Sequence, residues 1–243
     1  MIFRKAILLI HGFAGNSYDY GELYNELQYV SSFDVFTFVL PGHDKTFIAS
    51  VTYNDWISAA EKRMEKLISV GYKNIYVVGH SMGGVIACHI ANKYNKYVKK
   101  VVLAAPAFRY MYFKNGKIDV LTSLKKSPEI FGGLDMHTVV SRIFKVPITT
   151  AMQFTKLTDK YHDCPKNITV PILIIHGTND KIVPIESCQY VHNSVKSRVN
   201  ILLNIKGVNH DCFTGNRKED VYTSVITFLK KKYVTEIKRT IDI

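Results

Sequence analysis

The chain has 243 residues, 47% of them hydrophobic and 21% charged, a composition ordinary for a globular protein and a length sufficient for one large core. No run of about 18 apolar residues occurs, so a transmembrane helix is not expected. The formal charge of +12 comes from 32 basic and 20 acidic residues, and such a balance suits anionic membranes, nucleic acid or acidic substrates. The lysines are scattered, however, with clusters only at Lys99-Lys100, Lys125-Lys126 and Lys230-Lys231-Lys232, and no nucleic-acid-binding motif accompanies them. A solvated basic surface is expected, with no nucleic-acid partner; a membrane surface has the charge as its sole support.

Short apolar, β-branched runs alternate with helix-period segments, the pattern of βαβ units and a parallel sheet. Met1–Lys5 followed by Ala6–Ile10 superficially resembles a short export signal. It runs straight into His11-Gly12 without a small-residue cleavage site, so it reads as a first strand and the cytoplasm is the expected compartment. Leu23, Leu27 and Val30 mark a first helix, and Asp34–Val39 a second strand. Thr52 with Asp55 three residues later has the form of a capping box, opening a helix with Ile57, Ala60, Met64 and Leu67 on its buried face. Strands follow at Ile75–Gly79, Val101–Ala105, Ile172–His176 and Val199–Ile205, with helices from Ser81 towards Tyr94, near Ile185–Val195 and over Lys218–Val234. Several strands are unbroken apolar runs, as expected where both faces are covered. About six strands result, with Lys238–Ile243 as a fraying tail.

Residues 107–168 break the alternation. They carry a turn at Lys114-Asn115-Gly116-Lys117 and short amphipathic patterns at Val120/Leu121/Leu124 and Val139/Val140/Ile143/Phe144. A structureless loop of that length is improbable within a compact domain, so a small, mainly helical cap is expected over a core formed by residues 1–106 and 169–243. Cys88, Cys164, Cys188 and Cys212 lack metal-ligand spacing and read as free thiols, with Cys88 in the core and Cys212 as lining.

Gly79-His80-Ser81-Met82-Gly83 carries the most information. It satisfies G-x-S-x-G and stands between an apolar strand and a helix, where a nucleophile elbow must stand. The turn is tight, the serine backbone is strained, and glycines on either side remove the clashes. Gly84, following, is expected to let the helix approach the sheet. A serine hydroxyl needs an adjacent base. Among nine histidines, His210 lies in Gly207-Val208-Asn209-His210-Asp211, after the last strand predicted and before the last helix. His80 adjoins Ser81, and neighbours on such a turn point apart; His89, His137, His162 and His192 have no motif around them.

From these residues the chain resembles the α/β-hydrolase superfamily, and Gly-His-Ser-Met-Gly-Gly is similar to the elbows of bacterial carboxylesterases and monoacylglycerol lipases. The resemblance implies an α/β-hydrolase fold of mostly parallel strands with helices on both faces; as a departure, the two antiparallel strands that often open it are expected to be absent, because the sequence begins almost at the strand before His11. It implies that Ser81 is the nucleophile, His210 the base, and Asp180 the acid, since His176-Gly177-Thr178-Asn179-Asp180-Lys181-Ile182-Val183-Pro184 resembles the family's acid loop. His43 and His176 resemble structural positions. His11-Gly12-Phe13-Ala14-Gly15 resembles the oxyanion loop, which would make the backbone N–H groups of Phe13 and Met82 the oxyanion hole. Phe108, Tyr110, Met111, Tyr112 and Phe113, opening the insertion, suit either an acyl pocket or the packing of the cap. The expected substrate is a small-molecule carboxylic ester with a short to medium acyl chain, or a monoglyceride, with no metal and no cofactor. Thioester hydrolysis, acyl transfer, C–C hydrolysis, a slow-turnover ligand-binding module and a membrane-surface lipase remain open alternatives.

Overall fold

The computed structural model describes residues 4–44, 50–109, 113–114, 117–118 and 148–243. Seven parallel strands form one sheet: β1 (Lys5–Ile10), β2 (Phe33–Thr37), β3 (Ile75–His80), β4 (Val98–Ala104), β7 (Ile172–Gly177), β8 (Val199–Ile205) and β9 (Ile237–Asp242), in the order β2-β1-β3-β4-β7-β8-β9. A separate antiparallel pair, β5 (Phe113–Lys114) and β6 (Lys117–Ile118), flanks the Asn115-Gly116 dipeptide. The helices are α1 (Leu23–Tyr29), α2 (Tyr53–Ser69), α3 (Met82–Lys93), α4 (Ile148–Lys160), α5 (Ile185–Ser194) and α6 (Lys218–Lys230).

The period-two alternation of the strands divides the core into two layers. Leu8 and Ile10 of β1, with Val77, Val101 and Ile174, face α2, α3 and α5 through Trp56, Met64, Val85, Ile86 and Val191. Ile7 and Leu9, with Val78, Val102 and Ile175, face α1 and α6 through Leu23, Leu27, Val225 and Leu229. Both faces are covered, which is why β1, β3 and β7 are apolar almost throughout. The Thr52–Asp55 capping box is formed, with Asp55 accepting from the Thr52 backbone N–H at 2.8 Å.

The sheet has seven strands where six were expected. The tail, expected to fray, is strand β9, paired with β8 from Val199↔Ile237 to Asn204↔Asp242. Accordingly α6 stops at Lys230, and Lys231 is already extended (φ −63°, ψ 136°). The signal was weak because β9 is an edge strand: only Ile237 and Ile241 turn partly inward, and the residues between them are exposed. The amphipathic patterns at Val120/Leu121/Leu124 and Val139/Val140/Ile143/Phe144 lie outside the described residues. Among the described residues no helix is long and apolar enough to cross a membrane.

Strand order positions the site. The chain leaves β1 towards β2 on one side and returns with β3 on the other, so the connections after β1 and β3 diverge. Such a switch point opens a crevice at the carboxyl ends of the strands.

Candidate active site

The loop after β1 and the turn after β3 meet in that crevice. Ser81 sits between β3 and α3 with φ 54° and ψ −118°, a backbone conformation costly for any residue with a side chain. It is held there from three sides: its N–H donates to the Ala104 carbonyl at 2.9 Å, and its carbonyl accepts from Gly84 at 2.9 Å and Ala107 at 3.2 Å. A Cβ at Gly79 would overlap the Gly83 carbonyl, and one at Gly83 the carbonyl of Ile10. A Cβ at Gly84 would stand 3.0 Å from the Cβ of Pro106, just beyond β4, and 3.7 Å from the Gly79 carbonyl oxygen of β3.

Asp180 and His210 arrive on the connections after β7 and β8. Asp180 Oδ2 lies 2.8 Å from His210 Nδ1, while Oδ1 accepts from the backbone N–H groups of Ile182 and Val183 at 2.8 and 2.9 Å. The Asp180 side chain is fully buried. Burial alone would raise its carboxyl, but the His210 ring and the two backbone donors outweigh that and hold it below the ordinary aspartate range. A carboxylate only accepts, so Nδ1 of His210 bears a hydrogen, and in the neutral ring it is then Nε2 that has the lone pair. The loops are tied together by Asn179 N–H to Val208 O at 2.9 Å and Gly207 N–H to Thr178 Oγ1 at 3.0 Å. Asp211 does not take the place of Asp180 against the His210 ring; it lines the mouth.

Ser81 and His210 open on the same cavity, whose wall is completed by Gly12, Phe13, Ala14, Gly15, Asp19, His80 and Asp211. The Gly12–Gly15 loop lies directly on the elbow, for a Cβ at Gly12 would stand 3.1 Å from Cβ of Ser81. Its shape is set by Ala14 at φ 57° and by a capping box between Asn16 and Asp19. His11 pins its start: Nε2 accepts from Leu40 N–H at 2.9 Å and Nδ1 donates to the Gly12 carbonyl at 2.8 Å. Burial chiefly, with His43 and His80 nearby, lowers His11 to about 4, so it is neutral near pH 7. Met82 opens α3, and its N–H therefore has no partner inside that helix.

Among the residues expected to contact substrate, Phe108 is fully buried in the core and packs towards Tyr190, with ring centroids 6.3 Å apart. Tyr110, Met111 and Tyr112 lie outside the described residues, as does the side chain of Phe113. Sequence reasoning missed Phe154, on α4, whose ring stacks on Phe13 at 5.2 Å. It also missed that His80, besides adjoining Ser81, reaches His210 (ring centroids 4.9 Å apart). No local signal pointed to either contact. All four cysteines are free thiols, and Cys88, Cys188 and Cys212 are buried. Among the described residues no group of His, Cys, Asp and Glu is placed to hold a metal ion.

A parallel α/β sheet with a strained serine at a strand-to-helix turn, facing a histidine–carboxylate pair across a switch-point crevice, defines a hydrolase-type α/β protein. The family model described as alpha/beta hydrolase fold matches residues 5–135, and one described as Serine aminopeptidase, S33, matches residues 134–216. The chain belongs to the alpha/beta hydrolase fold family. It is 24% identical to a carboxylesterase of Bacillus subtilis over 238 residues, with 93% of each chain covered. It is 26% identical to a putative esterase/lipase 2 of Mycoplasma pneumoniae, covering 85% of this chain and 82% of that one. Among solved structures, one from work on the metagenome-derived lipolytic enzymes LipS and LipT superposes with a TM-score of 0.75 at 20% identity over 94% of both chains. A monoacylglycerol lipase of Paleococcus ferrophilus gives 0.69 at 20% identity, covering 92% of this chain and 93% of that one.

Proposed function

We propose that the chain is a serine hydrolase of carboxylic esters acting through an acyl-serine intermediate, with Ser81, His210 and Asp180 as its triad. The observation that carries this reading is the Asp180–His210 hydrogen bond opening, with strained Ser81, on one cavity. Nε2 of His210 takes the proton of Ser81 Oγ as the oxygen attacks the ester carbonyl. The carbonyl oxygen becomes an oxyanion, which accepts hydrogen bonds from the backbone N–H groups of Phe13 and Met82. As the tetrahedral species collapses, His210 hands its proton to the departing alcohol and the acyl group stays on Ser81. Water, deprotonated by the same Nε2, then attacks the acyl-serine, and the acid leaves as Oγ recovers its proton. Asp180 stays ionised throughout and faces the imidazolium that forms in each half-reaction.

Residues 107–168 form the cap in this reading, and within it α4 reaches the oxyanion loop through Phe154 on Phe13. The kinship with a carboxylesterase and the likeness in fold to a monoacylglycerol lipase support short- to medium-chain esters or monoglycerides as substrates. Turnover of a p-nitrophenyl ester series tests the proposal. Ser81→Ala should abolish it, and Ser81 should be labelled by a fluorophosphonate in the parent protein but hardly at all in His210→Ala. Ester hydrolysis that survives Ser81→Ala near its original rate overturns the mechanism.

A further inference from the structure

His80 ends β3 and is 4% exposed. Its Nε2 lies 2.9 Å from the backbone carbonyl oxygen of His210, across 130 residues of sequence. A carbonyl only accepts, so Nε2 bears the hydrogen, and a neutral ring then leaves Nδ1 as a bare acceptor. Nδ1 is buried with no hydrogen-bond partner among the described residues and faces the oxyanion loop, 3.3 Å from where a Cβ on Gly12 would stand. The ring is clamped between His210, at 4.9 Å, and Phe213, whose edge-on ring is 5.7 Å away.

We propose that His80 is a positioning residue: from the strand that ends in the nucleophile, its Nε2–H fixes the backbone of the base at His210. The inference rests on the reading of His210 as the base. Its physical ground is that nucleophile and base belong to different connections, one after β3 and the other after β8. The His210 carbonyl accepts one hydrogen bond from its own loop, from Cys212 N–H at 2.9 Å, and one from His80. The first holds the loop to itself; the second holds it to the elbow. Reacting groups misplaced by about 1 Å lose about 100-fold in rate, so a tether from the residue adjoining the nucleophile controls a distance on which the reaction depends.

The ring must also remain neutral, because a second cation beside His210 would oppose the imidazolium that forms there. Burial first, then the neighbouring His210, lowers His80 to about 4, against the His210 carbonyl and the carboxylates of Asp211 and Asp180, which act the other way. Near neutral pH the ring is therefore a donor without charge.

The test compares His80→Met, which fills similar space without a donor, and His80→Gln, whose amide nitrogen restores an N–H at similar reach. With p-nitrophenyl acetate and butyrate, His80→Met is expected to lower kcat by about 30- to 100-fold with KM changed less than about threefold, and His80→Gln to recover most of the loss. Nitrogen-15 spectra of the parent protein should show His80 as the neutral Nε2–H tautomer at pH 7. The proposal is overturned by a His80→Met kcat within about twofold of the parent, by a His80→Gln variant no better than His80→Met, or by an Nδ1–H or cationic His80. Should His80→Met not fold, His80→Gln against the parent and the tautomer still decide. Failure of the esterase reading looks different: the parent itself turns over neither ester and takes up no fluorophosphonate. The tautomer then still reads the bond to His210 and either upholds the tether or removes it.

Discussion

The buried histidines make this fold acid-sensitive in a window that follows from their positions. His11 and His80 are 0% and 4% exposed and titrate at about 4 in the folded chain, against 6.5 for an ordinary histidine. The unfolded chain therefore binds more protons than the folded one between about pH 6.5 and pH 4, and stability falls as pH falls through that interval. At pH 5 each group favours unfolding by about 2 kcal/mol relative to pH 7.5, so the pair removes about 4 kcal/mol, a large share of a typical total of about 5–15 kcal/mol. His43 and His176, also lowered chiefly by burial, act in the same direction. Carboxylates contribute little above about pH 4.5. The single tryptophan, Trp56, is fully buried and reports unfolding by fluorescence. Urea titrations at pH 7.5 and pH 5.0 should thus differ by about 4 kcal/mol or more in extrapolated stability. His11→Gln should be less stable at pH 7.5, having lost the fit of both nitrogens, but its pH dependence should shrink by about 2 kcal/mol. A parent protein whose stability changes by less than about 1 kcal/mol between the two pH values refutes the reasoning.

Two further substitutions separate catalysis from stability. Asp180→Asn should leave the fold intact and lower kcat about 1,000- to 10,000-fold in ester hydrolysis, because an amide no longer fixes the proton on Nδ1 of His210 nor faces the imidazolium; a loss under about tenfold counts against the assigned acid. Lys100→Met should do the reverse. The Lys100 ammonium, buried at the far end of α6, donates to the carbonyls of Phe228 and Leu229 at 2.8 Å and of Lys231 at 2.5 Å, and lies among the rings of Tyr76, Phe228 and Tyr233. Its removal should cost about 2–4 kcal/mol in thermal or urea unfolding, as those carbonyls lose a charged donor, with kcat at 25 °C unchanged.

What could be read from the sequence was whatever is encoded locally. Ser81, Asp180 and His210 each lie in a short segment whose residue types reveal the turn they make, and the flanking apolar runs place those turns at strand ends. β9 was not legible, because its order comes from pairing rather than from its own side chains. Ile237 N–H donates to Arg198 O, Lys206 N–H to Ile243 O and Ile243 N–H to Asn204 O, at 2.8 to 3.0 Å. A strand built on such remote backbone bonds needs little hydrophobic pattern of its own. His80 failed for a related reason: its neighbour in sequence is Ser81, which drew the reading to itself, and its partner in space is 130 residues away.

The same distinction explains how the elbow can be strained and still well defined. Of the four non-glycine residues at positive φ among those described, Ala14, Ser81 and Ala105 lie around the crevice. Ser81 and Ala105 are fixed by bonds from outside their own turn. Ala105 N–H donates to Ile175 O at 2.8 Å, Ala107 N–H reaches Ser81 O, and Pro106 fills the space that Gly84 leaves. Ser187, on α5, clasps the same stretch, donating to the Pro106 carbonyl at 2.6 Å and accepting from Arg109 N–H at 2.9 Å. The chain thus leaves the core at Arg109 through a segment anchored to the elbow itself. The strain at Ser81 is thus maintained by Ala104, Gly84 and Ala107, outside the Gly79–Gly83 turn's own side chains.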